Sequence, residues 1–456
     1  MTPIEQARAD RQGALNRLVE FLRIPSVSTD PSHGADMRRA ADWLAERLRG
    51  AGVDRVRVDE TPGHPVVHAE LLAAPGAATV LVYGHYDVQP PDPIALWESP
   101  PFEPSLRDGD LYARGACDDK GQLMAHVEAL AAYTAAGIAP PVNVKYVFEG
   151  EEEIGSPNLA AWLSAHASEL EADVAVISDN AMVAPGQPSL VYGLRGLAYM
   201  EIEVSGAPGD LHSGLYGGAV RNPASALAGI LAGLHDAQGR ITIPGFYDRV
   251  RPLDDAERAL LARVPFDLTA FNRAAGRAGA WGEAGYSLIE RLGARPSLDI
   301  NGMGSGWTGP GAKTVLPAKA SAKVSMRLVP DQDPEAIAAL FKAHVEGLSE
   351  PGFSVEVRSL HGGRPALIDR DLPAMQAAGR ALEQGFGKAP VFTREGGTIP
   401  VVADLASILG LPTVMLGFGL PDDNLHAPNE KFRVEHFHRG TETVIAFLDE
   451  LAKSAR

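Results

Sequence analysis

The sequence holds a single cysteine, Cys117, so no intrachain disulfide can form, which fits a reducing compartment. No stretch reaches the ~18 consecutive apolar residues of a transmembrane helix. The opening Met1-Thr2-Pro3-Ile4-Glu5-Gln6 carries an acid early, and no apolar signal-peptide core follows. A cytoplasmic location is the resulting expectation. Basic residues are short as well: 41 Lys and Arg stand against 58 Asp and Glu, a net charge of −17. Such an excess disfavours nucleic-acid backbones and anionic membranes, so neither is expected as a partner, and small substrates stay open. Internal repeats are absent, as are low-complexity tracts beyond a general richness in alanine.

What remains is an ordinary globular composition, 45% apolar and 22% charged, over 456 residues. That length allows two or three domains. Thr79 to Tyr83 reads as a buried strand that stops at Gly84, after which His85 and Asp87 arrive two residues apart. Residues i and i+2 of an extended chain share one side, and a carboxylate behind an imidazole is the wiring of a metal ligand. Lys120 to about Ala135 is apolar nearly all round, predicting a buried helix just after Asp118-Asp119. Asn143 to Phe148 predicts a strand running into Glu149-Gly150-Glu151-Glu152-Glu153, and Asp173 to Ser178 another, ending at Asp179. Strand, acidic group and helix recur. That order predicts an α/β fold, a mostly parallel sheet sandwiched by helices, with chemistry at the carboxyl ends of the strands.

Between residues 189 and 365 the character changes. Alternating strands at Tyr199–Val204, Ala320–Val329 and Phe353–Leu360, with helices near 223–236 and 334–348, predict an inserted α+β domain. Residues 240–312, rich in Gly, Pro and Arg, offer only helical patches near 254–263 and 281–292. The first pattern resumes after 365, so the first domain is expected in two parts, 1–188 and 366–456.

His85, Asp87, Asp118, Asp119, Glu151, Glu152, Glu153, Asp179 and His426 thus gather at strand ends. Massed carboxylates repel one another unless cations neutralise them. Two divalent metals would do so, with a carboxylate between them. Imidazole plus carboxylate favours zinc, with manganese or cobalt also compatible. Water held there turns to hydroxide near neutral pH, and a free carboxylate takes its proton and later passes it to a leaving amine. Blander readings stand beside these. The acidic run alone is a solvated stretch, with Glu151 solvent-facing or structural. His212 in a Gly-rich loop is an ordinary surface histidine, and His436-x-His438 begins a helix, where i and i+2 diverge.

Gly84-His85-Tyr86-Asp87-Val88-Gln89-Pro90, Cys117-Asp118-Asp119-Lys120-Gly121, Glu149-Gly150-Glu151-Glu152-Glu153-Ile154-Gly155-Ser156, Ser178-Asp179-Asn180 and Asn424-Leu425-His426-Ala427-Pro428-Asn429-Glu430 resemble the metal-site motifs of the M20 metallopeptidases. The nearest likeness is to the carnosinase-like, cytosolic nonspecific dipeptidase branch, and it spans most of the chain in the family's order. The resemblance implies that His85 and Asp179 bind one metal, Glu153 and His426 the other, and Asp118 bridges. It makes Asp87 the group that orients His85, Glu152 the general base and acid, and the Asp118–Asp119 peptide cis. The insertion becomes a lid and homodimerisation domain, with His212 reaching the partner's active site. Thr314, Arg327, Gly397 and Thr398 become substrate contacts, with Thr398 where many relatives have serine. Cys117 replaces a serine or threonine common in its motif. The implied activity is cleavage of dipeptides. The rivals are an N-acyl-amino-acid deacylase or desuccinylase on the same chemistry, and a non-catalytic metal- or peptide-binding relative.

Overall fold

The computed structural model describes residues 1–276, 281–397 and 399–454, and the chain divides into two compact units. One contains Met1–Tyr192, Ile368–Thr393 and Pro400–Arg456; the other contains Gly193–Leu367 and Arg394–Ile399. The sequence places the insertion at 189–365. Residues 394–399, which it assigns to the first domain, group with the second unit.

In chain order the principal strands are β1 (Arg55–Asp59), β2 (Val66–Leu71), β3 (Thr79–His85), β4 (Asn143–Glu149), β5 (Val174–Ile177) and β6 (Ser189–Leu194). There follow β7 (Gly196–Ser205), β8 (Ser297–Ser305), β9 (Lys319–Leu328), β10 (Ser354–Gly363), β11 (Val391–Glu395) and β12 (Thr413–Met415).

The sheet of the first unit runs β1-β2-β4-β3-β5-β12-β6, with β11 beside β6. Strands β4, β3, β5 and β12 are mutually parallel, while β1/β2, β2/β4 and β12/β6 are antiparallel. The parallel strands are buried almost throughout, which is why they read as continuous apolar runs rather than alternating ones. Their carboxyl ends lie along one edge, and His85, the Glu151–Glu153 run and Asp179 follow there.

The helix Lys120–Ala136 is buried on every side, through Leu123, Met124, Val127 and Leu130 among others. Side chains of this kind contribute about 1.5–3 kcal/mol each when fully buried. The helix ends at Gly137, whose φ of 68° is the left-handed cap that glycine tolerates best. Its start is as constrained: a Cβ on Gly121 would lie 1.9 Å from the Ala116 carbonyl oxygen. Helix Val434–Ser454 packs against it. Asp108-Gly109 forms a hairpin turn, with φ of 49° and 85°, between strands Ser105–Arg107 and Asp110–Tyr112. A later strand, Lys431–Arg433, pairs antiparallel with Asp110–Tyr112.

The second unit has a four-stranded antiparallel sheet in the order β8-β9-β7-β10. Met200, Ile202 and Val204 from β7 and Val324, Met326 and Leu328 from β9 pack with Leu227, Ile230, Ile337 and Phe341 from two helices. Strand β8 lies where only helical patches were expected. It is an edge strand, exposed over most of its length and interrupted by Gly302 and Gly304, so no apolar alternation marks it. Pairing with β9, bulged between Ile300 and Gly302, supplies its structure. Among the described residues, no helix is long and apolar enough to cross a membrane.

Candidate metal centre

His85 ends β3 with its side chain fully buried. Its Nδ1 lies 3.1 Å from the Asp87 carbonyl oxygen and 3.3 Å from Asp87 Oδ1, so the proton belongs on Nδ1. Nε2 is left to point at carboxylates: Asp118 Oδ1 at 3.0 Å and Asp179 Oδ2 at 3.9 Å. That nitrogen is buried among carboxylate oxygens, the surroundings in which a cation would replace its proton. The other carboxylate oxygen of Asp87, Oδ2, accepts from the Glu153 N–H at 3.1 Å, so one aspartate braces two loops.

A second group forms around His426. Its Nε2 lies 3.0 Å from Asp118 Oδ2 and 3.2 Å from Glu153 Oε2. Gln89 Nε2 donates to the same Glu153 oxygen at 2.8 Å. His426 has a φ of 58°, and Asn424 and Asn429 are left-handed too, at 55° and 62°. Three such residues in one short loop are costly, and such backbone is retained mainly where a site requires it. The ligand atoms of His85, Asp118 and Asp179 lie within 4.8 Å of one another, as do those of Asp118, Glu153 and His426. Asp118 alone belongs to both groups.

Burial raises the cost of every charge here, and the cluster answers by redistributing protons. Burial opposes ionisation of Asp118, but hydrogen bonds from His426 and His85 outweigh it and hold the carboxyl below its usual range. Burial likewise pulls His85 down, and Asp118 and Asp87 more than reverse that. His426 rises to about 10 through its bonds to Asp118 and Glu153. Asp179 is pushed well up by burial and then by Asp118. Glu152 is pushed up to about 7 by burial, against the pull of His85 and with help from Glu153, Asp118 and Asp87. The two imidazoles thus carry the positive charge that this set of carboxylates demands. Two nitrogens and three carboxylates in overlapping groups are a donor set that fits a pair of divalent cations.

The profile of peptidase family M20/M25/M40 matches residues 81–450. The chain belongs to peptidase family M20. This M20 peptidase is 34% identical to a Cys-Gly metallodipeptidase of Candida albicans, over 96% of this chain and 95% of that protein. It superimposes on human carnosine dipeptidase 1 with a TM-score of 0.84 and 31% identity, covering 99% of this chain and 98% of that one. It superimposes on an M20 family metallo-carboxypeptidase from Sulfolobus solfataricus with a TM-score of 0.85 and 34% identity, covering 96% and 99%.

Other expected residues of this M20 peptidase are placed as follows. The Asp118–Asp119 peptide is cis. Asp119 is buried and accepts the His85 N–H through Oδ2 at 3.2 Å. Of the two readings of Glu151, the structural one holds: it is buried and accepts from the His64 N–H and from Asn158 Nδ2. His126 Nε2 lies 2.7 Å from Ser178 Oγ, next to Asp179, and His436 Nδ1 lies 3.1 Å from the Phe418 carbonyl oxygen. In the second unit His212 and Thr314 are brought together: His212 pairs with Val315, and the Ser213 N–H donates to the Thr314 carbonyl at 3.1 Å. His212 Nδ1 accepts from the Gly214 N–H at 2.9 Å. Arg327 lies on β9 between Ser297 of β8 and Leu197 of β7, and Gly397 is exposed. Thr398 lies outside the described residues. Sequence reasoning missed Gln89, Arg114 and Glu430. Their signal was only their place: Gln89 and Glu430 stand near the ends of motifs and Arg114 just before one, where no chemistry singled them out.

Proposed function

We propose that the protein is a binuclear metal-dependent dipeptidase in which His85 and Asp179 hold one divalent cation, Glu153 and His426 hold the second, and Asp118 bridges them. One observation carries this reading: two three-residue groups share a single aspartate. The likeness over nearly the whole chain to the Candida albicans metallodipeptidase and to human carnosine dipeptidase 1 supports dipeptide cleavage. Mixed imidazole and carboxylate ligation favours zinc. When bound, the cations acidify water to near neutrality and polarise the scissile carbonyl.

The chain's own residues do the remaining work. Asp87 fixes the His85 tautomer and braces the Glu153 loop. The raised carboxyl of Glu152 suits it to take a proton from attacking water and hand it to the departing amine. On the substrate side we assign His212 to the developing oxyanion, and Thr314, Gly397 and Thr398 to substrate contact. Arg327 pairs with the C-terminal carboxylate through its planar fork. His212 acts across a homodimer formed through the second unit, and the enzyme works in the cytoplasm.

The test is metal analysis of the purified protein, with assays on dipeptides, N-acetyl amino acids and longer peptides. Two divalent ions per chain and dipeptide cleavage are expected. Hydrolysis of N-acetyl amino acids without dipeptides would replace the reading with a deacylase. Trimming of longer peptides alone would favour the activity named for the Sulfolobus solfataricus relative. An active monomer in light scattering would remove the cross-subunit role of His212.

A further inference from the structure

We infer that Glu430 is a positioning residue for the metal centre: its carboxylate clamps the loop bearing Asp118 to the loop bearing His426. The inference rests on the assignment of those two residues as ligands.

Glu430 and Arg114 are among the most deeply buried charged groups of the first unit, at 0% and 1% exposure. Glu430 Oε2 accepts from Arg114 Nη1 at 2.8 Å and from the Gly115 N–H at 2.9 Å. Oε1 accepts from the Cys117 N–H at 3.0 Å and the Asp118 N–H at 3.1 Å. These four donors fill the roughly four lone-pair sites of a carboxylate. The main chain closes the same junction, with the Ala113 N–H donating to the Glu430 carbonyl at 3.1 Å. Arg114 extends the clamp to the segment after Asp87: its Nη2 donates to the Pro90 carbonyl at 3.2 Å, and its guanidinium lies 5.5 Å from the Trp97 ring. Asn429 adds bonds to the Glu98 N–H and the Leu96 carbonyl. Three loops that bear or adjoin ligands therefore meet on one carboxylate and its partners.

A buried ion pair is a poor device for stability alone, because desolvation offsets most of its attraction and an apolar pair avoids that cost. An apolar pair cannot hold the N–H groups of Cys117 and Asp118 in place. Asp118 must present one oxygen to His85 and the other to His426, each at 3.0 Å. A small rotation of its backbone would misplace both together.

The decisive substitution is Glu430→Gln. It keeps the shape but turns one acceptor oxygen into an NH2 group, and every group around this carboxylate is a donor. Glu430→Asp keeps acceptors only and withdraws them by one methylene. Chelator-stripped wild type and both variants are titrated with Zn2+ against a competing chelator, alongside thermal unfolding and kcat and KM on a dipeptide. Folded E430Q is expected to bind zinc about 10–100-fold more weakly, the usual range for loss of a group that supports a ligand. Its kcat falls at nearly constant KM, and excess zinc restores part of it; E430D lies between. A purely structural role lowers the melting temperature alone, so folded E430Q with wild-type zinc affinity overturns the inference. Should E430Q not fold, E430D decides by the same reading. If wild type binds no zinc, or Asp118→Ala keeps it, the ligand assignment itself falls, an outcome distinct from failure of the clamp.

Discussion

Asp118 lies between two histidines, with Oδ1 3.0 Å from His85 Nε2 and Oδ2 3.0 Å from His426 Nε2. Each of those histidines has a further carboxylate of its own, Asp179 for His85 and Glu153 for His426. Losing the shared residue therefore differs from losing an unshared one. Asp118→Ala is expected to strip both metals, whereas His426→Ala retains close to one per chain. Elemental analysis of desalted protein reads this directly, and equal losses in both variants would contradict the sharing.

Glu152 belongs to neither ligand group. Glu152→Gln is expected to leave metal content unchanged and lower kcat by about 10²–10⁴-fold, the usual contribution of general acid–base catalysis. Steady-state kinetics beside metal analysis separate the two effects. Wild-type kcat would remove Glu152 from the proton path.

Metal uptake is expected to release protons. His426 holds its proton up to about pH 10 in the metal-free centre, and His85 is raised as well. A cation needs both rings neutral at Nε2, so zinc affinity should climb with pH through the neutral and mildly alkaline range. Calorimetric titrations in buffers of different ionisation enthalpy count the protons released, and a flat affinity over that window would refute this.

The metal-free protein should show the opposite trend in stability. A group whose folded pKa is raised contributes stability that is present below its unfolded value and lost as pH rises through the folded one. For His426 that window runs from about 6.5 to about 10. Asp179 and Glu152 are raised too and push the same way. The melting temperature of chelated protein should therefore fall across this window, and added metal should cancel the fall.

Gly121 offers a steric test. A Cβ there meets the Ala116 carbonyl at 1.9 Å, and backbone cannot step aside as a flexible side chain can. Gly121→Ala should cost about 1–3 kcal/mol by overpacking, measured by urea unfolding. Because the displaced residues lead into Asp118, metal content should fall as well.

The parallel core, and the strand ends where the proposed ligands stand, were legible because buried strands in an α/β sheet are continuous apolar runs, and their ends are marked where acids and histidines begin. Thr79–His85 and Asn143–Glu149 show this plainly. Strand β8 was not legible, since an exposed edge with internal glycines has no burial to alternate against. Glu151 is buried by the chain around His64 and by Asn158, packing that a local acidic run does not reveal. Glu430 carried no role from sequence because its partners lie 312 to 316 residues earlier.

The order of the proposed ligands along the chain also sets an order in time. His85, Asp118 and Asp179 all lie within Met1–Tyr192, so one three-ligand group exists in sequence before the second unit has been synthesised. His426 emerges only after that unit is complete. During translation the first proposed metal position can be furnished early and the second only near the end, with Asp118 present throughout as the residue on which the later one would be completed.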